Sequence, residues 1–305
     1  MPEPVPAGLS PMLAVAGDPP RFGEWSYEVK WDGHRALASV VAGAVTLTSR
    51  GRRDITAAVP ALTGLGEALG GRDGLFDGEL VAFGPDGRPD FGLLARRLGA
   101  PHVAGAQVTY LIFDVLHLDG RSCLQLPHRA RRALLESLSL SGPGWGVPAA
   151  LTGSVDEVLE AVRLQGLEGV LAKRSTSPYT PGRRSTDWVK LVNLHTLNVV
   201  VGGWQPGAGR RAATVGSLLL GVPEPDGLRY VGHVGTGFTD TALADLGTVL
   251  APLHTPRSPF AGPVPPHRAR TAQWVRPAVR GEVQFAAWTA DGLLRQARWR
   301  GVRGD

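Results

Sequence analysis

Cysteine occurs once in these 305 residues, at Cys123, which excludes a disulfide framework within the chain and any multi-cysteine zinc site. No apolar run approaches the roughly 18 residues of a membrane helix. The N-terminus, MPEPVPAGLSPML, lacks the basic start and long apolar stretch of a signal peptide. A soluble protein of a reducing cytoplasm is expected. Isoleucine, asparagine and methionine stand at two each, and lysine at three: Lys30, Lys173 and Lys190. The other 29 of the 32 basic residues are arginine. That pattern suggests a GC-rich coding bias that places arginine wherever charge alone matters. A lysine retained under such a bias marks chemistry that arginine cannot perform. Arginine stays protonated and is a poor nucleophile, whereas a lysine amine can lose its proton once its pKa is lowered.

Net charge is +5, and it is unevenly placed. Residues 1–195 carry 20 basic and 20 acidic side chains, while residues 196–305 carry 12 arginines and 7 acids. A basic second half suits a polyanionic partner.

Between Trp25 and Asp32, Trp25, Tyr27, Val29 and Trp31 alternate with Ser26, Glu28, Lys30 and Asp32. Period two predicts a strand with one polar face, which is either solvated or lines a pocket. Gly33 ends it. A strand pair follows, turning near residues 42–44, then a helix over residues 56–69. A strand from Gly74 to Phe83 carries Asp77 and Glu79 on one face, and Val108 to Leu116 forms an apolar strand. A helix is expected over residues 128–140. Ser154 and Glu157 form the capping box of another, reaching about residue 165. Glu168 to Lys173 and Trp188 to Val192 read as short strands. The Pro-, Gly- and Arg-rich segment between them, SPYTPGRRST, is expected to be exposed. From Asn198 the texture changes to short strands between Gly- and Pro-rich turns, with one helix at about residues 240–250. Five or so strands and one helix in about 110 residues fit a small Greek-key barrel of the oligonucleotide-binding type.

Lys30-Trp31-Asp32-Gly33-His34-Arg35 lies at a strand end followed by a glycine turn. Ser49-Arg50-Gly51 follows, then Phe76-Asp77-Gly78-Glu79-Leu80, Phe113-Asp114, Glu168-Gly169-Val170 and Trp188-Val189-Lys190. In this order and spacing, the chain resembles the covalent nucleotidyltransferases, and within them the ATP-dependent DNA ligases. The resemblance is to the ligase modules of bacterial end-joining systems and their small stand-alone relatives. Residues 231–238, VGHVGTGF, and 288–295, WTADGLLR, are similar to that family's second domain.

The resemblance implies a fold: an α+β adenylation (nucleotidyltransferase) domain with antiparallel sheets over residues 1–195, then an all-β OB barrel over residues 196–305. It also implies roles. Lys30 would attack the α-phosphorus of ATP, its amine kept neutral by desolvation and by nearby Lys190. Phe113 would stack on adenine, with Glu28 near the adenine edge. Glu79 would accept from the ribose, while Arg35 and Arg50 hold ribose and phosphate oxygens. Lys190 would contact the α-phosphate, and Glu168, with Glu79, would hold Mg²⁺ or Mn²⁺. AMP would pass from Lys30 to a DNA 5′-phosphate, and a 3′-hydroxyl would then displace it. Asp77 and Asp114 read as structural acids, and His34, His195 and His233 as ordinary histidines.

Two departures stand out. The family usually carries two alternating lysines after the tryptophan, but Val192 occupies the second position, where it is expected to face the α-phosphate. Lys173 is a candidate substitute, although a regular strand turns it opposite to Glu168. The family's barrel commonly ends in a basic–acidic–lysine motif that orients pyrophosphate; here it ends Gly301-Val302-Arg303-Gly304-Asp305, and Arg303 is expected to keep part of that role. Slow self-adenylation is the expected consequence. The implied partner is nicked or broken double-stranded DNA, with end-joining proteins, including any polymerase or phosphoesterase, supplied in trans. A monomer in the bacterial cytoplasm, near the nucleoid, is expected, and residues 194–198 would act as a hinge carrying Arg303 toward ATP. An RNA ligase or capping guanylyltransferase, or a catalytically weak nucleic-acid-binding relative, remains open on these residues alone. An NAD-dependent ligase is disfavoured, because its cysteine zinc module and nicotinamide-binding region are missing.

Overall fold

A computed structural model describes residues 2–99, 107–207, 214–289 and 291–303. The chain divides into two compact units, Met1–Asn193 and Leu194–Asp305.

The first unit stacks two sheets. β1 (Leu13–Ala16), β11 (Arg184–Val192), β10 (Gly169–Arg174) and β2 (Trp25–Val29) form the smaller, in that order. The larger follows the order β4 (Ala44–Ser49), β3 (His34–Val41), β5 (Gly74–Ala82), β6 (Val108–Leu118), β9 (Trp145–Gly146), β8 (Ser141–Gly142), with β7 (Arg121–Ser122) paired to β6. Pairing is antiparallel except for β1 with β11 and β6 with β9. Period two distributes the side chains. Ala36, Ala38 and Val40 of β3 and Phe76 and Leu80 of β5 enter one core. Leu37 and Leu75, from alternate positions, join Met12, Phe113, Tyr179 and Trp188 in a second core. Trp25 and Tyr27 of β2 pack on a third, formed by Val170, Ala172, Val189 and Leu191 against α4 (Val155–Leu164). The polar side of β2 therefore turns the other way, toward the larger sheet.

The capping box of α4 is present: Ser154 accepts from the Glu157 backbone, and the Glu157 side chain reaches back to the Ser154 N–H. Two local expectations fail, and one helix was not expected. Residues 56–69 do not form one helix; they break into 3-10 turns at Thr56–Ala58 and Pro60–Thr63 and the short α1 (Gly64–Ala68). Pro60 has no N–H to continue a helix, and Gly66 lies so close to the β3–β4 turn that a Cβ would sit 2.0 Å from the Gly43 carbonyl. α2 (Phe91–Gly99) forms where the sequence showed no helix signal. The segment between β10 and β11 is not simply exposed: Ser177 and Tyr179 are buried. α3 (His128–Ser137) packs along β6, where its Arg131 pairs with Asp114.

In the second unit, β14 (Gly227–Val234), β13 (Val215–Glu224), β12 (His195–Pro206), β15 (Gln273–Phe285) and β18 (Arg298–Val302) make an antiparallel five-stranded sheet. A small hairpin, β16 (Ala287–Trp288) with β17 (Leu294–Arg295), precedes the last strand. α5 (Asp240–Leu250), capped by Thr239, sends Leu243, Leu246 and Leu250 into the core with Val199, Val201, Leu218 and Val231. The Pro-rich segment ends in the single turn α6 (Pro266–Ala269). Among the described residues, no helix is long and apolar enough to cross a membrane.

Candidate active site

The strand signal at Trp25 places the lysine. β2 ends at Val29, and Lys30 continues its line by donating its backbone N–H to the Gly169 carbonyl at 2.9 Å. Gly33 must be glycine for the chain to turn there, since a Cβ would lie 2.2 Å from the Leu80 carbonyl oxygen. Gly169 is similarly constrained, with φ +156° and a Cβ position 2.2 Å from the Leu191 carbonyl oxygen. These contacts bring Lys30 and Glu168 together, and the two side chains form an ion pair. Glu168 Oε1 takes the ammonium, while its Oε2 is buried without a hydrogen-bond partner.

Lys30 lies in a cleft of about 180 Å³ between the two sheets. Glu28, Arg35, Arg50, Glu79, Phe113 and Lys190 line it, so the structure brings together most of the side chains that the sequence singled out. Trp31, Trp188, Leu171 and the first strand's Leu13 and Ala14 also line it, and the sequence reading missed them. Trp188 was accessible to the same reasoning, because period two on β11 puts it on the Lys190 face. Leu13 and Ala14 carry no chemical signal and arrive only through the pairing of β1 with β11.

Arg35 is held firmly. Its Nε and Nη2 donate to the two carboxylate oxygens of Asp77 at 2.5 and 2.6 Å, and its guanidinium lies 4.6 Å from the Phe113 ring centre. Burial works against the charge, but Asp77 outweighs it and raises the Arg35 pKa above its ordinary value. Arg50 donates its backbone N–H to the Arg35 carbonyl, which ties β4's exit to the cleft. Glu79 faces Arg35 across the β3–β5 register. Burial lifts the Glu79 pKa to about 7; Arg35 and Lys30 pull it down, while Asp77 and Glu168 add to the rise. Glu79 is thus an acid whose charge changes near neutrality, beside one whose carboxylate is already committed to Lys30.

At the back of the cleft, Glu28 sits among basic side chains. Lys173 Nζ donates to its Oε2 at 2.7 Å, His128 Nε2 lies 3.5 Å from Oε1, and Arg132 reaches to 4.0 Å. Burial opposes ionisation, but Lys173 and His128 hold the Glu28 pKa down at about 2. This arrangement corrects the expectation for Lys173. It is not a phosphate-facing substitute: its side chain is wholly buried, 4.3 and 4.4 Å from the Phe113 and Trp188 ring centres, and it does not line the cleft. The physical reason is that β10 turns Leu171 and Lys173 inward together, where Glu28 is the nearest counter-charge.

Lys190 does line the cleft. Burial lowers its pKa, and the charges of Lys30 and Arg184 lower it further. Val192 follows on the same strand face, but it lies beyond the residues that line the cleft. Arg303 belongs to the second unit, where it pairs with Glu282 and lines, with Asn198 and Arg280, a separate cavity of about 440 Å³. Asp77 and Asp114 are both buried; Asp114 receives two bonds from Arg131, at 2.7 and 3.0 Å. Among the described residues, no three His, Cys, Asp or Glu side chains cluster as a metal cage. A small divalent ion held by one or two carboxylates and completed by phosphates and water needs no such cage. Glu79 and the unpartnered oxygen of Glu168 fit that description.

Comparison with known proteins identifies the family. A family model described as "ATP dependent DNA ligase domain" matches residues 11–191, and one described as "ATP dependent DNA ligase C terminal region" matches residues 211–305. The multifunctional non-homologous end joining DNA repair protein LigD of Mycobacterium tuberculosis is 43% identical over 299 residues, covering 97% of this chain and 39% of that protein. The chain therefore spans well under half the length of such curated relatives. The crystal structure of the ligase domain from M. tuberculosis LigD shares 41% identity and a TM-score of 0.59, over 97% of this chain and 95% of that one. A mycobacterial DNA ligase D complexed with ATP and MES matches with the same figures.

Proposed function

The chain belongs to the ATP-dependent DNA ligase family, as an adenylation domain followed by an OB-fold domain, and we propose that it seals nicks in duplex DNA through a lysyl-AMP intermediate on Lys30. One observation carries the reading: the Lys30 amine stands in a cleft whose walls offer a nucleotide both cations and an aromatic face, with Glu168 on one side and Lys190 lining the same space.

In the first step the Lys30 nitrogen bonds to the α-phosphorus of ATP, and the bond from phosphorus to the pyrophosphate oxygen breaks. The attacking amine must be neutral, so the ion pair with Glu168 has to open and its proton must leave. Arg35, fixed by Asp77, and Arg50 would hold ribose and phosphate oxygens; Phe113 would offer its ring to adenine, and Lys190 would contact the α-phosphate. Glu28, held ionised, can only accept, which suits the amino group on adenine's edge. Mg²⁺ or Mn²⁺ held by Glu168 and Glu79 would offset charge on the phosphate oxygens.

In the second step a 5′-phosphate oxygen of the nick attacks the same phosphorus and the Lys30–phosphorus bond breaks. In the third, the adjacent 3′-hydroxyl attacks the 5′-phosphate and AMP leaves. The arginines of the second domain would hold the duplex through phosphate contacts, giving affinity without sequence preference. We place the activity in the repair of broken DNA ends, with the other end-joining activities supplied by further domains or proteins.

Peptide mass spectrometry after incubation with ATP and Mg²⁺ tests the first step. An AMP adduct on Lys30 and sealing of a nicked duplex are expected, both lost in Lys30→Ala. Labelling by GTP in place of ATP, or sealing of nicked RNA alone, would overturn the reading.

A further inference from the structure

The segment joining β10 to β11 contains a buried group that the proposed chemistry leaves unused. Tyr179 has no solvent exposure, although the Pro, Gly and Arg around it suggested a surface loop. Its hydroxyl donates to Asp77 Oδ2 at 2.5 Å and accepts from the Met12 backbone N–H at 2.9 Å. Its ring packs edge-on to Trp188, with centres 5.7 Å apart. Asp77 Oδ2 is also the oxygen that receives Arg35 Nη2. The tyrosine and the arginine therefore meet on one carboxylate oxygen, and both Arg35 and Trp188 line the cleft.

Nothing in the packing alone requires a hydroxyl here. A phenylalanine would keep the ring against Trp188, though it would leave the Met12 N–H without its partner. What the hydroxyl adds is direction. A carboxylate with one partner can rotate about its last torsion, which is broad. With Arg35 on one side and Tyr179 on the other, Asp77 is fixed in one plane, and a bidentate pair transmits that plane to the guanidinium. The segment is itself anchored, because Arg131 donates to the Ser177 carbonyl at 3.1 Å while holding Asp114.

We propose that Tyr179 is a positioning residue: acting through Asp77, it sets the plane of the Arg35 guanidinium against the bound nucleotide. The inference rests on the proposed role of Arg35 in holding ATP. It makes the β10–β11 segment part of the nucleotide site, although the tyrosine itself does not line the cleft.

The test is a double-mutant cycle on the full chain, following lysyl-AMP formation by intact mass as ATP is varied. Tyr179→Phe is expected to raise the half-saturating ATP concentration about tenfold, with a smaller change in the maximal rate. In an Arg35→Ala background the same substitution is expected to change half-saturation by less than about twofold, because the group it positions is gone. An equal effect in both backgrounds, or none in either, overturns the proposal and leaves Tyr179 a packing residue. If Tyr179→Phe fails to fold, a fluorotyrosine at position 179 serves instead, since it alters the donor strength of the hydroxyl with little change in volume. A shift in half-saturation that vanishes with Arg35→Ala supports the proposal, and its persistence there, or no shift at all, overturns it. A wild-type chain that forms no adduct would instead remove the ligase reading.

Discussion

The two domains bury different things. Among the described residues, every buried charged side chain lies in the first: Glu28, Asp77, Asp114, Arg131, Arg132 and Lys173. Among its described residues the second buries chiefly Val, Leu, Phe and Trp, and one polar side chain, Gln205, which bonds to Arg268 and Thr271. The first domain has 20 basic and 20 acidic residues; the second has 12 and 7. The proposed nucleotide site needs fixed donors to hold a polyanion, and fixed donors are obtained by pairing charges away from water. The proposed grip on duplex phosphates by the second domain asks only for surface cations over an apolar core. The difference shows where a substitution should act through charge and where through hydrocarbon.

The comparison would break first at Lys173. Lys173→Met leaves the Glu28 carboxylate buried without its closest partner, so a loss of about 3–5 kcal/mol is expected in urea unfolding. A loss below about 1 kcal/mol would mean that the cluster is not the support it resembles. In the second domain, Leu246→Ala removes a side chain packed with Leu218 and Val231, at an expected cost of about 3 kcal/mol that stays the same from pH 5 to pH 8.

The dependence on pH sharpens the contrast. Glu79 keeps its proton to about 7 in the folded chain, against an ordinary 4.5. Between those values the folded state binds more protons than the unfolded one, so stability falls as pH rises through the window. Allowing for the partial exposure of Glu79, a drop of about 1–2 kcal/mol is expected, and Glu79→Gln should flatten it. Glu28 has the opposite sign. Its pKa falls from 4.5 to about 2, so the stability it contributes is present above 4.5 and is lost as pH falls toward 2. Glu28→Gln should remove that acid limb. The smallest effect belongs to Arg303, whose own side chain is largely solvent-exposed in its pair with Glu282. Arg303→Ala should change stability by less than about 0.5 kcal/mol, and a larger loss would show that the second domain also relies on ion pairs.

Much of the cleft was legible because strand periodicity is local. Alternation from Trp25 to Asp32 put Glu28 and Lys30 on one face, and the same logic put Asp77 with Glu79 and would have put Trp188 with Lys190. The capping box at Ser154 needed only four residues to be read. Of what failed, only Pro60 was legible locally, as a helix breaker. The helix expected over residues 56–69 was broken by Pro60 and by the approach of Gly66 to another turn, and the β10–β11 segment looked like a surface loop because its composition says nothing of what covers it.

By itself the sequence carried the resemblance to the family, through motifs in a fixed order, and the polar face of the Trp25–Asp32 strand, through a period of two. Only the tertiary structure decided who partners whom. Lys173 meets Glu28 across 145 positions and Tyr179 meets Asp77 across 102. Those pairings depend on how strands from distant parts of the chain align in two stacked sheets. Because a buried charge is costly until a partner is in place, burial then made the pairs matter.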